Sequence, residues 1–184
     1  EMALDSEIKN FGKNAHSVAA IRSNLAATLK GLGGEVNLRE AKKQLEMALS
    51  SHLWNFGKDS SSIATIRSNL ATVRQGLNGE ANLLAAKEQL EMALELDIKI
   101  FGEDSPSVAT RRSNLAMVLA DLGGENNLKE ANSHLKIALA SHIRNFGTDS
   151  PSVAISRSNL AIVLRDLGGE ANLLEAKGLL EMAL

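Results

Sequence analysis

The chain contains no cysteine and no tyrosine, and only two prolines, one tryptophan and four phenylalanines among its 184 residues. Without cysteine there is no disulfide framework, no thiol nucleophile and no cysteine-based zinc site. Aromatic residues make up 3% of the chain, few for a compact single core, which usually relies on large rings. No stretch of about 18 residues is both apolar and free of charge, so no membrane span is expected. The 20 basic and 22 acidic residues nearly cancel, leaving a net charge of -2. No strong field for nucleic acid or anionic lipid follows from that balance. The scarcity of proline and a hydrophobic fraction of 44% argue against disorder.

What is present is repetition, and it decides the expected fold. Phe-Gly recurs at Phe11, Phe56, Phe101 and Phe146, a period of 45 residues. Arg-Ser-Asn-Leu-Ala recurs at that period from Arg22, Arg67, Arg112 and Arg157. Met-Ala-Leu marks a third phase at Met2, Met47, Met92 and Met182, with Ile137-Ala138-Leu139 in the remaining slot. The chain starts and stops at one phase of the repeat, as expected for a segment of a longer array.

Each period reads as two helices. The first is expected over about Ser17 to Leu32. Its start is written as Asp104-Ser105-Pro106 and Asp149-Ser150-Pro151, a polar cap followed by proline in the first turn. Val18, Leu25, Ala26, Leu29 and Leu32 form its apolar stripe. Gly33-Gly34 and its counterparts stop it, and Asn78-Gly79 does so in the second repeat; asparagine is the usual substitute for glycine in the left-handed conformation. The second helix is expected over about Leu38 to Asn55. Asn37, Asn82, Asn127 and Asn172 are its expected N-caps, with Glu40, Glu130 and Glu175 completing capping boxes. Leu38, Ala41, Leu45, Ala48, Leu53 and Phe56 form its buried face. Short glycine turns make such pairs antiparallel, and stacked pairs form an all-α solenoid. Alanines at 26, 41 and 48, repeated in phase, let helix axes approach to roughly 8–10 Å.

Three motifs carry a family resemblance. They are Asn-Leu-Ala-x-x-Leu-x-x-Leu-Gly (Asn114 to Gly123), Glu-Ala-x-x-x-Leu-x-x-Ala-Leu (Glu40 to Leu49) and Phe-Gly-x-Asp-Ser-Pro (Phe101 to Pro106). Together they resemble tetratricopeptide repeats of the long-repeat subclass found in kinesin light chains and in arrays attached to bacterial signal-transduction ATPases. The likeness covers the whole chain. It departs from the family in its period of 45 rather than 34 and in arginine at 22, 67, 112 and 157, where the family has an aromatic. The resemblance implies a right-handed superhelix of antiparallel helix pairs. Its divisions are a truncated second helix over 1–12, with Leu4 and Ile8 on its apolar side, then repeats over 13–57, 58–102, 103–147 and 148–184, all in one solenoid domain.

The resemblance also implies that first helices line a concave groove, through Ser23, Asn24, Ala27, Lys30, Gly31 and their counterparts. Asn24, Asn69, Asn114 and Asn159 are identical in all repeats. Asparagine is a mediocre helix former, so the column needs a reason. Its amides either clamp peptide groups of an extended partner, similar to the asparagine ladders of some tetratricopeptide proteins, or hold neighbouring helices together. Ser23, Ser68, Ser113 and Ser158 either admit a ligand backbone or fit a crowded helix contact. Arg22, Arg67, Arg112 and Arg157 either pack their stems and pair with Glu1, Glu46, Glu91, or with Glu35, Glu80, Glu125 and Glu170, or clamp carboxylates of a partner. The varying columns are expected to set specificity. They are Ala27, Thr72, Met117 and Ile162; Lys30, Gln75, Ala120 and Arg165; and Gly31, Gly76, Asp121 and Asp166. They favour an extended segment with aliphatic side chains.

No motif for catalysis, metal or cofactor is found, so the chain is read as no enzyme. His52 and His142 share a phase two periods apart, and with His16 and His134 they read as surface histidines without a metal-spaced neighbour. The Gly-Gly-Glu turns lack the strand and spacing of a phosphate loop. Asp121 with Asp166 has no recessed pocket to tune it. Trp54 has no aromatic counterpart. The expected function is a protein- or peptide-binding scaffold module without nucleic-acid or membrane partners, in a cytoplasmic protein. Its alternatives are a spacer that stacks end to end through uncapped terminal helices, and a sensor tail of a larger signal-transduction ATPase.

Overall fold

A computed structural model describes residues 16–57 and 59–184. The helix expected over 1–12, with Leu4, Ile8 and Glu1, lies outside the described residues. The rest forms eight helices: α1 (His16–Leu32), α2 (Glu35–Phe56), α3 (Ser61–Gly76), α4 (Glu80–Phe101), α5 (Pro106–Leu122), α6 (Glu125–Phe146), α7 (Pro151–Leu167) and α8 (Glu170–Glu181). No strand occurs among the described residues. First and second helices alternate at the period read from the sequence.

Local chemistry sets the ends. Ser105 and Ser150 cap α5 and α7, accepting from the Val108 and Val153 amides at 3.3 Å, with proline in the first turn. Ser60 caps α3 by accepting from the Ser62 amide. Gly33, Gly123 and Gly168 follow the first helices with φ of 67°, 69° and 70°. Asn78 takes that place after α3 with φ 55°, the one positive-φ residue other than glycine among the described residues.

The second helices start three residues earlier than expected, at Glu35 and its counterparts. The expected asparagine caps are therefore corrected. Asn37, Asn127 and Asn172 lie inside the first turn, and their Nδ2 groups donate backward to the carbonyls of Gly33, Gly123 and Gly168 at 2.8, 2.8 and 2.7 Å. Asn82 does the same to Asn78, at 2.7 Å. Gly34, Gly124 and Gly169 are the caps, without a side-chain bond. No capping box forms at Glu40 either; Glu40 accepts from Gln44 at 2.6 Å. The amide thus clasps the end of one helix to the start of the next across a two-residue turn.

Packing divides the chain into two compact units, one ending at Leu96 and the other running Asp97–Leu184. In the first, α1 and α2 are antiparallel and α3 packs on both. Ala19, Ala26, Ala41, Leu45, Ala48 and Leu70 make the core there, and a second cluster joins Ile63 and Ala64 of α3 to Ala93 and Leu96 of α4. In the second unit, Leu115, Leu119, Leu135, Leu160 and Leu164 are buried among Ala116, Ala131, Ala138 and Ala161. The alanine columns at 26, 41 and 48 and their described counterparts through Ala176 are at most 5% exposed. Leu32 departs from the expected stripe: it is 70% exposed, because it lies at the last position of α1, beside the turn.

Replacing Asn127 by alanine removes one buried-side bond at the α5–α6 turn. The expected cost is about 1 kcal/mol, read by urea unfolding, with the helical content unchanged. An unchanged midpoint would show that the clasp is dispensable.

Candidate functional site

The asparagine column lies on the accessible side of the first helices: Asn24 and Asn69 are exposed, Asn114 and Asn159 half-buried. Among the described residues, no hydrogen bond reaches the side-chain amides of Asn24, Asn69 or Asn159, while Asn114 has a partner. The neighbouring serines behave differently. The hydroxyls of Ser23, Ser113 and Ser158 donate to the carbonyls of Ala19, Ala109 and Ala154, four residues back, at 3.0, 3.1 and 3.0 Å. Ser68 is buried and partnered.

Two cavities collect some of these residues, whereas Ser68, Asn69 and Ser158 line neither. In the second unit, about 410 Å³ opens between α5, the end of α6 and the start of α7, lined among others by Ser113, Asn114, His142, Phe146, Ile155 and Asn159. In the first unit, about 300 Å³ opens between α1, α2 and α3, lined by Ser23, Asn24, His52, Ser62, Thr65 and Ile66 among others. The two recur at one register: two periods separate Ser23 from Ser113, Asn24 from Asn114, His52 from His142, and Ser62, Thr65 and Ile66 from Ser152, Ile155 and Ser156. We call each a seat.

The histidines expected at the surface are corrected here. His52 and His142 are 4% and 6% exposed, because the helix face on which they sit turns inward between successive first helices. The Nδ1–H of His52 donates to the Ala48 carbonyl at 3.2 Å. The His142 Nδ1 instead pairs with the Ser156 hydroxyl at 2.7 Å, since Ser156 stands where the first seat has Ile66. Its ring lies 5.9 Å from that of Phe146, and burial pushes its pKa below the ordinary histidine value. Their shared phase was the sequence signal for this role.

None of the residues of the varying columns lines either seat. Ile162 and Arg165 line a separate cleft of about 380 Å³ with Leu173, Ala176 and Leu180 of α8, and Arg165 pairs with Asp166 at 2.9 Å. Thr72 turns its hydroxyl to the Ser68 carbonyl at 3.0 Å. Met117 and Gln75 are half-buried, and Lys30 is exposed. Trp54 is exposed at the end of α2.

Neither a protein-family model nor a curated protein sequence matches the chain. Solved structures do. Nearly identical TPR-like repeats of a Podosopora anserina protein assigned as a kinesin light chain are 20% identical over 99% of this chain and 81% of that one, with a TM-score of 0.76. The fold is a tetratricopeptide-like helical repeat solenoid. A point-substituted form of the same repeats has a TM-score of 0.79 at 19% identity, covering 99% and 80%. BtubC (BKLC) from P. vanneervenii has 0.75 at 22% identity, covering 99% of this chain and 67% of that one.

Within this solenoid the arginine column is embedded. Arg22 is buried, and burial pulls the pKa values of Arg22 and Arg67 below the ordinary guanidinium value. Arg67 donates to the Gln89 amide oxygen at 2.7 Å, Arg112 lies 3.8 Å from Glu103, and Arg157 donates to the Met182 carbonyl at 2.6 Å. The glutamates expected as partners have other contacts: Glu46 takes Arg74 at 2.9 Å, Glu91 lies 3.7 Å from Lys87, and Glu35 and Glu125 pair along their own helix with Arg39 and Lys129.

Asp97 occupies the histidine register in the repeat between the two seats. It is 1% exposed and bound to Arg111 Nε at 3.0 Å. Burial raises its pKa, and the adjacent guanidinium pulls it partway back. Arg111→Ala would leave a buried carboxylate without its counter-ion. The expected loss is about 3 kcal/mol at neutral pH. A carboxyl whose folded pKa is raised costs stability while ionised, so the loss shrinks as acid protonates Asp97. Urea unfolding at neutral pH and at about pH 4 checks both the size and the direction.

Proposed function

We propose that the chain is a non-catalytic, protein-binding scaffold module that holds an extended segment of its partner along the first helices. The observation that carries this reading is the asparagine column: identical residues at one phase, three of them with amides that no group among the described residues engages. An amide offers both donors and an acceptor, so it can match either edge of a peptide group. Within each unit, successive first helices about 10 Å apart would meet about every third residue of a strand advancing 3.3 Å per residue. The serines, with their hydroxyls folded back on their own helices, contribute small size rather than hydrogen bonds. The embedded arginines support packing more than capture of a partner's carboxylate.

The test is Asn69→Ala combined with Asn159→Ala. Neither side chain loses an internal bond, so stability should stay within about 0.5 kcal/mol. Binding to an array of extended peptides, which should favour aliphatic over polar sequences, is lost. A clear drop in melting temperature with binding intact would assign the column to helix stacking.

A further inference from the structure

The seat of the second unit has a chemistry of its own. Every side chain lining it is uncharged: hydroxyls from α5 and α7, the amides of Asn114 and Asn159, and apolar walls from Phe146 and Ile155. His142 is more than nine-tenths buried yet lines the cavity. Its Nδ1 is taken by Ser156, and its Nε2 has no partner among the described residues. The seat is therefore lined by a histidine with one ring nitrogen unpartnered among the described residues, in an otherwise neutral, partly apolar recess. A neutral imidazole there offers either a donor or an acceptor, according to which way the Ser156 hydroxyl turns.

We propose that this seat binds an uncharged side chain with an apolar body and a hydroxyl tip, of which a phenol is the simplest, hydrogen-bonded to His142 Nε2, and that protonation of His142 expels it. The inference rests on the peptide-binding reading and adds the identity of the anchor and its control by pH. The apolar body fits between Phe146 and Ile155. A hydroxyl both donates and accepts, so it suits either tautomer, which an indole N–H does not. An anionic tip finds no cation in the recess.

The pH dependence follows from what faces the ring. Arg111 and Arg112 of α5 are engaged by Asp97 and Glu103. Arg144 of α6 pairs with Asp104, and Arg157 of α7 bonds the Met182 carbonyl. None of them lines the seat. An occupant that shuts water out makes an imidazolium there harder to form. By linkage, acid that forms the imidazolium must then weaken the occupant's binding. The seat of the first unit repeats the design with less room and with Ile66 in place of Ser156, so it serves as an internal comparison.

The experiment titrates the full chain with N-acetyl-tyrosinamide, N-acetyl-phenylalaninamide and N-acetyl-glutamate amide. Nuclear magnetic resonance follows the His142 ring and the Asn159 side-chain amide, assigned with His142→Gln. At pH 8 the tyrosine probe should move both signals and bind about fivefold more tightly than the phenylalanine probe, the worth of one hydrogen bond. As the pH is lowered until the His142 ring signal itself reports protonation, the tyrosine probe's binding should fall by at least a similar factor. Ser156→Ala, which leaves the ring in place, should retain the preference for tyrosine. The inference is overturned if neither signal moves, if tyrosine and phenylalanine probes bind equally, if the glutamate probe binds best, or if binding is unchanged across the observed protonation of the ring. Should the peptide array still bind while the tyrosine probe does not, the anchor fails and the groove reading stands. Should both fail, the groove reading itself is lost.

Discussion

The structure depends on the close approach of helices that have almost nothing between them. At phases 26, 41 and 48, alanine removes the side chain that would hold neighbouring axes apart, and burial of these columns is nearly complete in both units. A helix pair with so narrow an apolar face cannot shield itself from water, so it needs the next pair. Leucine fills what the alanines leave open, and large rings have no interior deep enough to occupy. The low aromatic content is thus a consequence of the architecture.

Close approach also fixes where polar chemistry can sit. Some side chains pointing into a helix contact find a partner there, as Arg67 does in Gln89 and Asp97 in Arg111. Side chains at the mouth between successive first helices are left with spare capacity, as Asn24 and Asn159 are. The ends of α2 and α6 reach the floor of that mouth, so one residue there changes its character. Histidine leaves a recess in two repeats, and Asp97 with Arg111 makes a salt bridge at the same register in another.

Much of this was legible in the primary structure, and the parts that were not share a cause. Period, helix count and the glycine stops could be read because each is enforced locally: Asn78 adopts positive φ just as its substitution for glycine implied. The role of Asn37 was misread because spacing alone does not say whether an amide reaches forward with its oxygen or backward with its nitrogen. Leu32 was counted in a stripe whose last member passes the end of the packed surface. His52 and His142 had the right phase, but their burial depends on a helix of the following repeat, a contact no single period contains. The asparagine column was visible as a pattern, and only coordinates separate the partnered Asn114 from the three without partners among the described residues.

The asparagine clasp has one more consequence. Each turn ties its two helices together using atoms that belong to that turn, with no help from neighbours. The turn, unlike the apolar face of the pair, is thus self-contained, and gaining or losing a pair leaves every remaining hinge intact. Length in such a chain can therefore drift by whole units, while a single-residue insertion inside a turn would break the clasp and be rejected.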